Sequence, residues 1–360
     1  MDYGRFNQAV QLAAQTAIAS GSYQRYSGEY CDRLASDLGE RLQTSQVLLA
    51  CSGTAAMEIA LRAAGVVAGD EVLLSAYDYP GNFWAIERIG ARPVLLDIEP
   101  HGWRIAAAGL QQVWREAGSY KALLVSHLHG QLQSMAELRS ECDRLGIVLI
   151  EDACQAVGAS IDGRPAGSFG HASIISFGGG KTLSAGRGGA LLSNDPALAQ
   201  RAKIFSGGGS GPYSLSELQA AVVGAQLTWL DDILTTCRNY FATIVQCLQT
   251  SNDVLTPFAA DLRQTSFYQA GFMLPPLITD SPDDQANTRQ QTTIARLLAQ
   301  QVPAGIGFAG FQRRSTKRCR LLQPLLNVAD VVQRTVTLHH RLAMTQPNSA
   351  QMVAQILNDR

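Results

Sequence analysis

Lysine is the side chain that forms an imine with a carbonyl, and one lysine of this chain has an unusual setting. Lys181 follows three consecutive glycines in SFGGGKTLSAGRGG (176–189), at the end of an apolar, β-rich run. Two chemistries use a lysine placed in this way. A phosphate-binding loop of the pattern G-x-x-x-x-G-K-[ST] would need glycine at position 175, which is Ile175, so that match fails. A Schiff-base lysine must approach a carbonyl closely, and small neighbours permit the approach. A solvated lysine in a loop is the plain alternative.

A carboxylate at another strand end favours the second chemistry. EDACQA (151–156) follows the run IVLI, and alternation along a strand sends Glu151 and Asp152 to opposite faces. One of the two therefore enters the crevice at the strand ends. A carboxylate there keeps a cationic ring nitrogen protonated, which is what pyridoxal 5'-phosphate (PLP) requires of its protein. An acidic helix cap would use the same residues. CSGTAAMEIAL (51–61) reads as a strand, a Ser-Gly-Thr turn and a helix start. Free amides and the helix dipole suit that point to a phosphate, although Ser and Thr also cap helices for structural reasons alone. AYDYPGN (76–82) brings Tyr77 and Tyr79 to a further strand end, where an aromatic ring can stack on a flat ring or pack at a rim.

These segments need a scaffold that aligns strand ends. From about residue 46 the chain alternates short apolar runs with amphipathic stretches. Strands are expected at 46–51, 71–75, 92–97, 121–126, 147–151, 172–177 and 189–192, with helices at 54–64, 79–89 and 135–145. VLLA, VLLS, VLLD, ALLV and IVLI are near-continuous apolar runs, as strands covered on both faces require. The alternation predicts an α/β fold with a mostly parallel, doubly wound sheet whose catalytic groups gather at the carboxyl ends of its strands. The glycine-rich loop SGGGSGPYS (206–214) follows, then a long helical pattern over 215–247. From 251 onward the elements are shorter and mixed, and read as a smaller α+β domain. The boundary falls between 232 and 255. Placed at 240, it gives a large domain of 1–240, whose first 20 residues or so can pack on the other unit, and a small domain of 241–360.

Composition narrows the class. At roughly 100–200 residues per domain, 360 residues suggest two domains. With 46% hydrophobic residues, 16% charged and a net charge of −1, neither disorder nor general polyanion binding is expected. A charged fraction below the usual value of about 25% hints that some surface is buried in a subunit contact. The seven cysteines contain no CxxC pair, which argues against a disulfide framework and against a metal site. The start MDYGRFNQAV lacks an export signal, and no apolar run reaches the roughly 18 residues a membrane span needs. A soluble cytoplasmic protein is expected, with no nucleic-acid or membrane partner.

Taken together, residues from about 20 to 235 resemble the DegT/DnrJ/StrS family of PLP-dependent sugar aminotransferases, of fold type I. The motifs CSGT (51–54), AYDY (76–79), HLHGQ (127–131), EDACQA (151–156), GSFGH (167–171), SFGGGK (176–181) and SAGRGG (184–189) occur in the family's order. The resemblance implies an aspartate-aminotransferase-like fold and a homodimer, with PLP held covalently on Lys181. It implies that Asp152 pairs with the ring nitrogen, that Gln155 lies by the ring hydroxyl, and that Tyr79 stacks on the ring. Gly53, Thr54 and Ser176 would hold the phosphate. Departures stand beside these matches. Arg187 replaces a glutamate, His129 a tyrosine and His171 an aspartate, and Pro212 and Ser214 stand where the family carries Asn and Arg. The Asn contact to a neighbouring subunit's phosphate cannot form from Pro212.

The expected activity is transfer of an amino group from an amino-acid donor to a keto-sugar or keto-cyclitol, in natural-product or cell-surface sugar biosynthesis. PLP chemistry of another kind at Cα (decarboxylation, elimination or carbon–carbon bond formation) is the alternative, and a non-catalytic regulator a more distant one. FQRRSTKRCR (311–320) sets Arg313, Arg314, Lys317, Arg318 and Arg320 close together. Either it is a solvated basic face, or, with Arg187, Arg313 and Arg314 as substrate-binding groups, it draws an anionic acceptor to the mouth of the site.

Overall fold

A computed structural model describes residues 1–116, 120–208, 210–248, 254–258, 260, 262–276 and 282–359. The expected onset of the small domain at 251 lies outside them. The strands are β1 (Gln46–Ala50), β2 (Glu71–Ser75), β3 (Arg92–Leu96), β4 (Tyr120–Ser126), β5 (Val148–Asp152), the short hairpin β6 (Ser160–Ile161) and β7 (Arg164–Pro165), β8 (Ala172–Ser176), β9 (Gly189–Ser193), β10 (Gln269–Met273), β11 (Ala304–Gly305), β12 (Arg320–Leu321) and β13 (Thr335–His339).

Eight of these form one sheet in the order β1-β9-β8-β5-β4-β2-β3-β12. Only β9 runs against the rest: it is antiparallel to both β8 and β1, and every other pairing is parallel. The apolar runs behave as both faces demand. Val72, Leu74, Leu124 and Ile150 enter the core under the helices Gly53–Ala63 and Pro80–Arg88. Their neighbours Leu73, Leu123, Val125 and Leu149 enter the opposite core, against Met135–Leu145. Helices therefore cover both faces, as in a doubly wound sheet.

Local chemistry sets the helix starts near the strand ends. Ser52 caps Gly53–Ala63 by accepting the Ala55 N–H at 3.0 Å. Asp195 caps Pro196–Ser206, with Pro196 at the first helical position. The helical pattern over 215–247 divides into Glu217–Leu227 and Leu230–Leu248. Trp229, at the break, packs on a second core and meets Phe6 edge-on at 6.3 Å between ring centroids.

That second core gathers Phe241, Phe258, Phe267, Phe272, Val336 and Leu357 around a three-stranded sheet ordered β10-β13-β11. Phe6, on the helix Tyr3–Ala19, packs on it as well. The C-terminal third does not stay apart from the large sheet: β12 pairs with β3, and Phe311 and Val328 enter the large core. No helix among the described residues is long and apolar enough to cross a membrane.

The close packing of β1, β8 and β9 gives a first test. A Cβ on Gly189 would lie 2.7 Å from both the Gly53 nitrogen and the Ile175 carbonyl oxygen, and neither is a side chain that can swing away. Gly189→Ala should therefore destabilise the protein by about 1–3 kcal/mol, the usual range for overpacking. Urea unfolding checks it, and an unchanged midpoint would show that the strands part without cost.

Candidate active site

Strands β1, β5 and β8 end, and β9 begins, at one edge of the sheet, because the loop 177–188 leaves β8 and returns as the reversed β9. That edge opens on a cavity of about 610 Å³. Gly53, Thr54, Tyr79, Asp152, Gln155, Ser176, Lys181 and Arg187 all line it. Arg313 and Arg314 do not line it.

Asp152 reaches the cavity because its strand neighbour is held on the other side. β5 runs one residue further than expected, through Asp152. Glu151 is completely buried. Its carboxylate accepts the N–H groups of Gly167 (2.6 Å), Phe169 (2.8 Å) and Gly170 (3.0 Å), and the Ser173 hydroxyl at 3.0 Å. His127 completes the set. Its Nδ1 accepts the Gln133 N–H at 3.1 Å, so Nε2 carries the proton toward Glu151 Oε1 at 3.0 Å. Burial alone would raise the carboxyl of Glu151, but His127 and the amides of Gly167 and Gly170 outweigh it and hold the group below its usual range. Asp152 takes the opposite face. Its Oδ1 accepts the Cys154 N–H at 2.9 Å and its Oδ2 the Asn82 amide at 2.8 Å.

Lys181 enters from the loop between β8 and β9. Its Nζ lies 4.2 Å from the ring centroid of Tyr268, an aromatic face that attracts a cation. The preceding carbonyl, of Gly180, accepts the Nε2 proton of His339 at 2.9 Å, and His339 Nδ1 accepts the Arg341 N–H. Gly180 has φ +81°, a left-handed conformation that favours glycine.

The fit to PLP can be judged on shape and donor chemistry. A Cβ on Gly81 would come within 2.3 Å of the Tyr79 ring and 3.1 Å of Thr54 Oγ1, so this glycine makes the space in which the tyrosine lies. A Cβ on Gly53 would press on Ser176 and Cys154 at 3.0–3.3 Å. Thr54, Ser176 and the helix start at Gly53 supply hydroxyls and a positive dipole end for a phosphate. Asp152 supplies the buried carboxylate and Lys181 the amine. These residues fit the group.

Several cavity residues carried no signal in the sequence. Tyr268 and Phe308 come from the C-terminal third, about 90 and 130 residues beyond Lys181 in the chain. Asn82, Trp84 and Arg88 come from the helix Pro80–Arg88, whose period could have suggested one face but not which. Of the two tyrosines, Tyr77 is buried, 3.0 Å from His129 Nε2, while its hydroxyl accepts the Phe308 N–H. Of the substituted histidines, His171 pairs with Asp143 at 2.8 Å, away from the cavity.

The basic segment is tied to the helix Pro80–Arg88 and to β2. Arg318 pairs with Glu87, Arg320 grips Glu71 through two bonds of 2.8 and 2.7 Å, and the Arg314 guanidinium lies over Phe83. Pro212 sits in a loop fastened to β1: the Tyr213 carbonyl accepts the Cys51 N–H at 2.6 Å.

A doubly wound sheet with a buried acid, a lysine and a helix start at its strand ends is the architecture of fold type I PLP enzymes. The profile of the DegT/DnrJ/EryC1/StrS aminotransferase family matches residues 6–357, and the chain belongs to that family of PLP-dependent aminotransferases. A "Pleiotropic regulatory protein" of Geobacillus stearothermophilus is 34% identical over 255 residues, 67% of this chain and 68% of that protein. The "GDP-perosamine synthase" of Vibrio cholerae is 30% identical over 59% of this chain and 60% of its own length. The crystal structure of 3-amino-5-hydroxybenzoic acid synthase shares the fold, with a TM-score of 0.84 and 22% identity, covering 98% of this chain and 96% of that one.

The Glu151 cluster yields a second test. Glu151→Gln puts an amide against three backbone donors and should cost about 3–5 kcal/mol, the scale of breaking a buried pair. Because the folded carboxyl titrates below the ordinary 4.5, its stabilisation is present above that value and is lost as pH falls below it. The variant should thus lose less stability than wild type between pH 5 and pH 3, as denaturant midpoints would read. Parallel pH curves would remove Glu151 from the acid response.

Proposed function

We propose that the protein transfers an amino group from an amino-acid donor to a keto-sugar or keto-cyclitol, using PLP held covalently on Lys181. The observation that carries this reading is that Asp152, Lys181 and the Gly53–Thr54 helix start share one cavity in a member of this family. Bound PLP supplies an aldehyde that condenses with amines and a cationic ring that withdraws electrons from the adjacent carbon. The chain supplies the rest. Asp152 would keep the ring nitrogen protonated, Tyr79 would stack on the ring, and Gln155 would lie by the ring hydroxyl. Gly53, Thr54 and Ser176 would hold the phosphate. The Lys181 amine would carry the proton at the substrate carbon. Tyr268 and Phe308, from the C-terminal third, help to exclude water.

The same proposal includes a cytoplasmic homodimer and the division into residues 1–240 and 241–360. Tyr79 and Trp84, 44% and 46% exposed at the cavity wall, are aromatic rims that a second subunit would cover. The acceptor is taken to be anionic. Arg88 and Arg187 line the cavity, whereas Arg313 and Arg314 contribute only to the field outside it. Arg187, in place of the family's glutamate, is also the feature that keeps non-transaminase chemistry at Cα as the second reading.

Borohydride should fix the cofactor on the peptide containing Lys181 and on no peptide of Lys181→Ala. Incubation with the right amino acid should convert PLP to pyridoxamine phosphate, as mass spectrometry reads; a bound cofactor that never converts would favour the second reading. Asp152→Asn should keep the fold and lose at least about a hundredfold in turnover, the scale of removing one preorganised electrostatic partner. A near-normal rate would overturn the role of Asp152.

Arg187→Gln should raise KM for an anionic acceptor several-fold at low salt and progressively less as salt screens the charge. The Arg313→Gln, Arg314→Gln double variant should shift KM by less than about twofold, as expected for charges beyond the cavity wall, one exposed and one laid over Phe83. A larger effect from the double variant than from Arg187→Gln would move the acceptor site to the surface cluster.

A further inference from the structure

Behind Asp152 lies a second carboxylate that the proposed function does not use. Asp78 is completely buried in the turn between β2 and the helix Pro80–Arg88. Its Oδ1 accepts the Tyr79 N–H at 2.6 Å and the Asn82 amide at 3.1 Å, and its Oδ2 accepts the Ser126 hydroxyl at 2.9 Å. The same Asn82 nitrogen lies 2.8 Å from Asp152 Oδ2 and 3.2 Å from Ser126 Oγ. One amide bridges two carboxylates. It has two hydrogens for three acceptors, so the state of Asp78 decides how they are shared. A protonated Asp78 can donate to Ser126 and release the amide toward Asp152. An ionised Asp78 competes for it.

We propose that Asp78 is a positioning residue for Asp152: through Asn82 and Ser126 it sets the charge and the hydrogen bonding that Asp152 presents to the ring nitrogen. This rests on the reading that Asp152 partners that nitrogen. Two carboxylates in one buried site resist double ionisation. Burial first, and then the charge of Asp152, push the Asp78 carboxyl up to about 8, against the hydrogen bonds from Ser126, Tyr79 and Asn82. Among the described residues, Cys154, beyond β5, and Tyr77, beside it in the turn, also feel Asp78. Burial raises both well above their usual values, so neither changes charge near neutrality. Asp78 is then the group that adds a negative charge behind Asp152 as pH passes about 8.

Two readouts that need no turnover test this. In the cofactor-free protein, a carboxyl raised from 3.8 to about 8 stabilises the fold while protonated, and that contribution is lost as pH rises between those values. The thermal midpoint of wild type should therefore fall relative to that of Asp78→Asn between pH 5 and pH 9. Pyridoxamine phosphate, which cannot condense with Lys181, serves as the probe of the ring-nitrogen site. Its Kd should be within about twofold for the two proteins at pH 6 and about tenfold weaker in Asp78→Asn at pH 9, one unit of coupling. The probe's own titration cancels in the ratio.

A flat ratio overturns the proposal whatever the thermal curves show, and parallel thermal curves overturn it as well, because Asp78 then does not titrate in this range. If Asp78→Asn does not fold, wild type still decides: a carboxylic-acid C=O stretch should persist in its infrared spectrum at pH 6.5 and fall to about a tenth by pH 9, for a carboxyl that titrates at about 8, and its absence at pH 6.5 or its undiminished presence at pH 9 overturns the proposal. A wild type that binds neither PLP nor pyridoxamine phosphate overturns the cofactor reading, and this role for Asp78 with it. A wild type that binds while the ratio stays flat overturns the role of Asp78 alone.

Discussion

A buried negative charge with no partner is among the costliest things a protein interior can hold, and Glu151 avoids that state by collecting five donors. Those donors come from the end of β4, the turn at 167–170 and the start of β8. Satisfying one carboxylate thus draws three neighbouring segments to the carboxyl end of β5. Strand alternation does the rest: with Glu151 committed to one face, Asp152 must face the other, where the cavity lies. The position of the cavity edge follows from the requirement to pair a charge that does not itself line the cavity.

The second constraint is the reversal of β9. In a wholly parallel sheet the chain would leave β8 at the reactive edge and cross over to re-enter from the far end. Because β9 is antiparallel to β8, the loop 177–188 stays at that edge and lays Lys181 over the cavity. The loop is fastened from outside as well. His339 on β13 binds the carbonyl just before the lysine, and the Tyr268 ring faces its amine. The C-terminal third is therefore part of the site.

Charge is distributed with a similar division of labour. Arg314, Arg318 and Arg320 of the basic segment engage Phe83, Glu87 and Glu71, and so anchor the return of the chain to the large sheet. A dense run of cations reads in sequence either as a ligand site or as a solvated face, and in the fold three of its five members, Arg314, Arg318 and Arg320, stand against acids or an aromatic face of other elements. Arg88 was silent in sequence, yet it lines the cavity because it sits one helical turn beyond Trp84 on the same exposed face.

What the residues determined unaided is whatever depends on short spacing. Near-continuous apolar runs, glycines before a lysine, a Ser-Gly-Thr helix start and adjacent acids are properties of a few consecutive positions, and they made the sheet, the strand ends and the motif residues legible. The adjacent acids could not by themselves say which one faces the cavity, since alternation fixes only that they differ. That choice was made by His127, Ser173 and the turn at 167–170, which are up to 24 residues away in sequence. Likewise Tyr268, Phe308 and His339 reach the lysine only because the second sheet packs on the first. The bridge from Asp78 to Asp152 exists because a turn, a helix and the ends of two strands meet there. Such contacts arise from long-range packing of buried polar groups, each of which must find a partner wherever the fold delivers one, and no local pattern encodes where that will be.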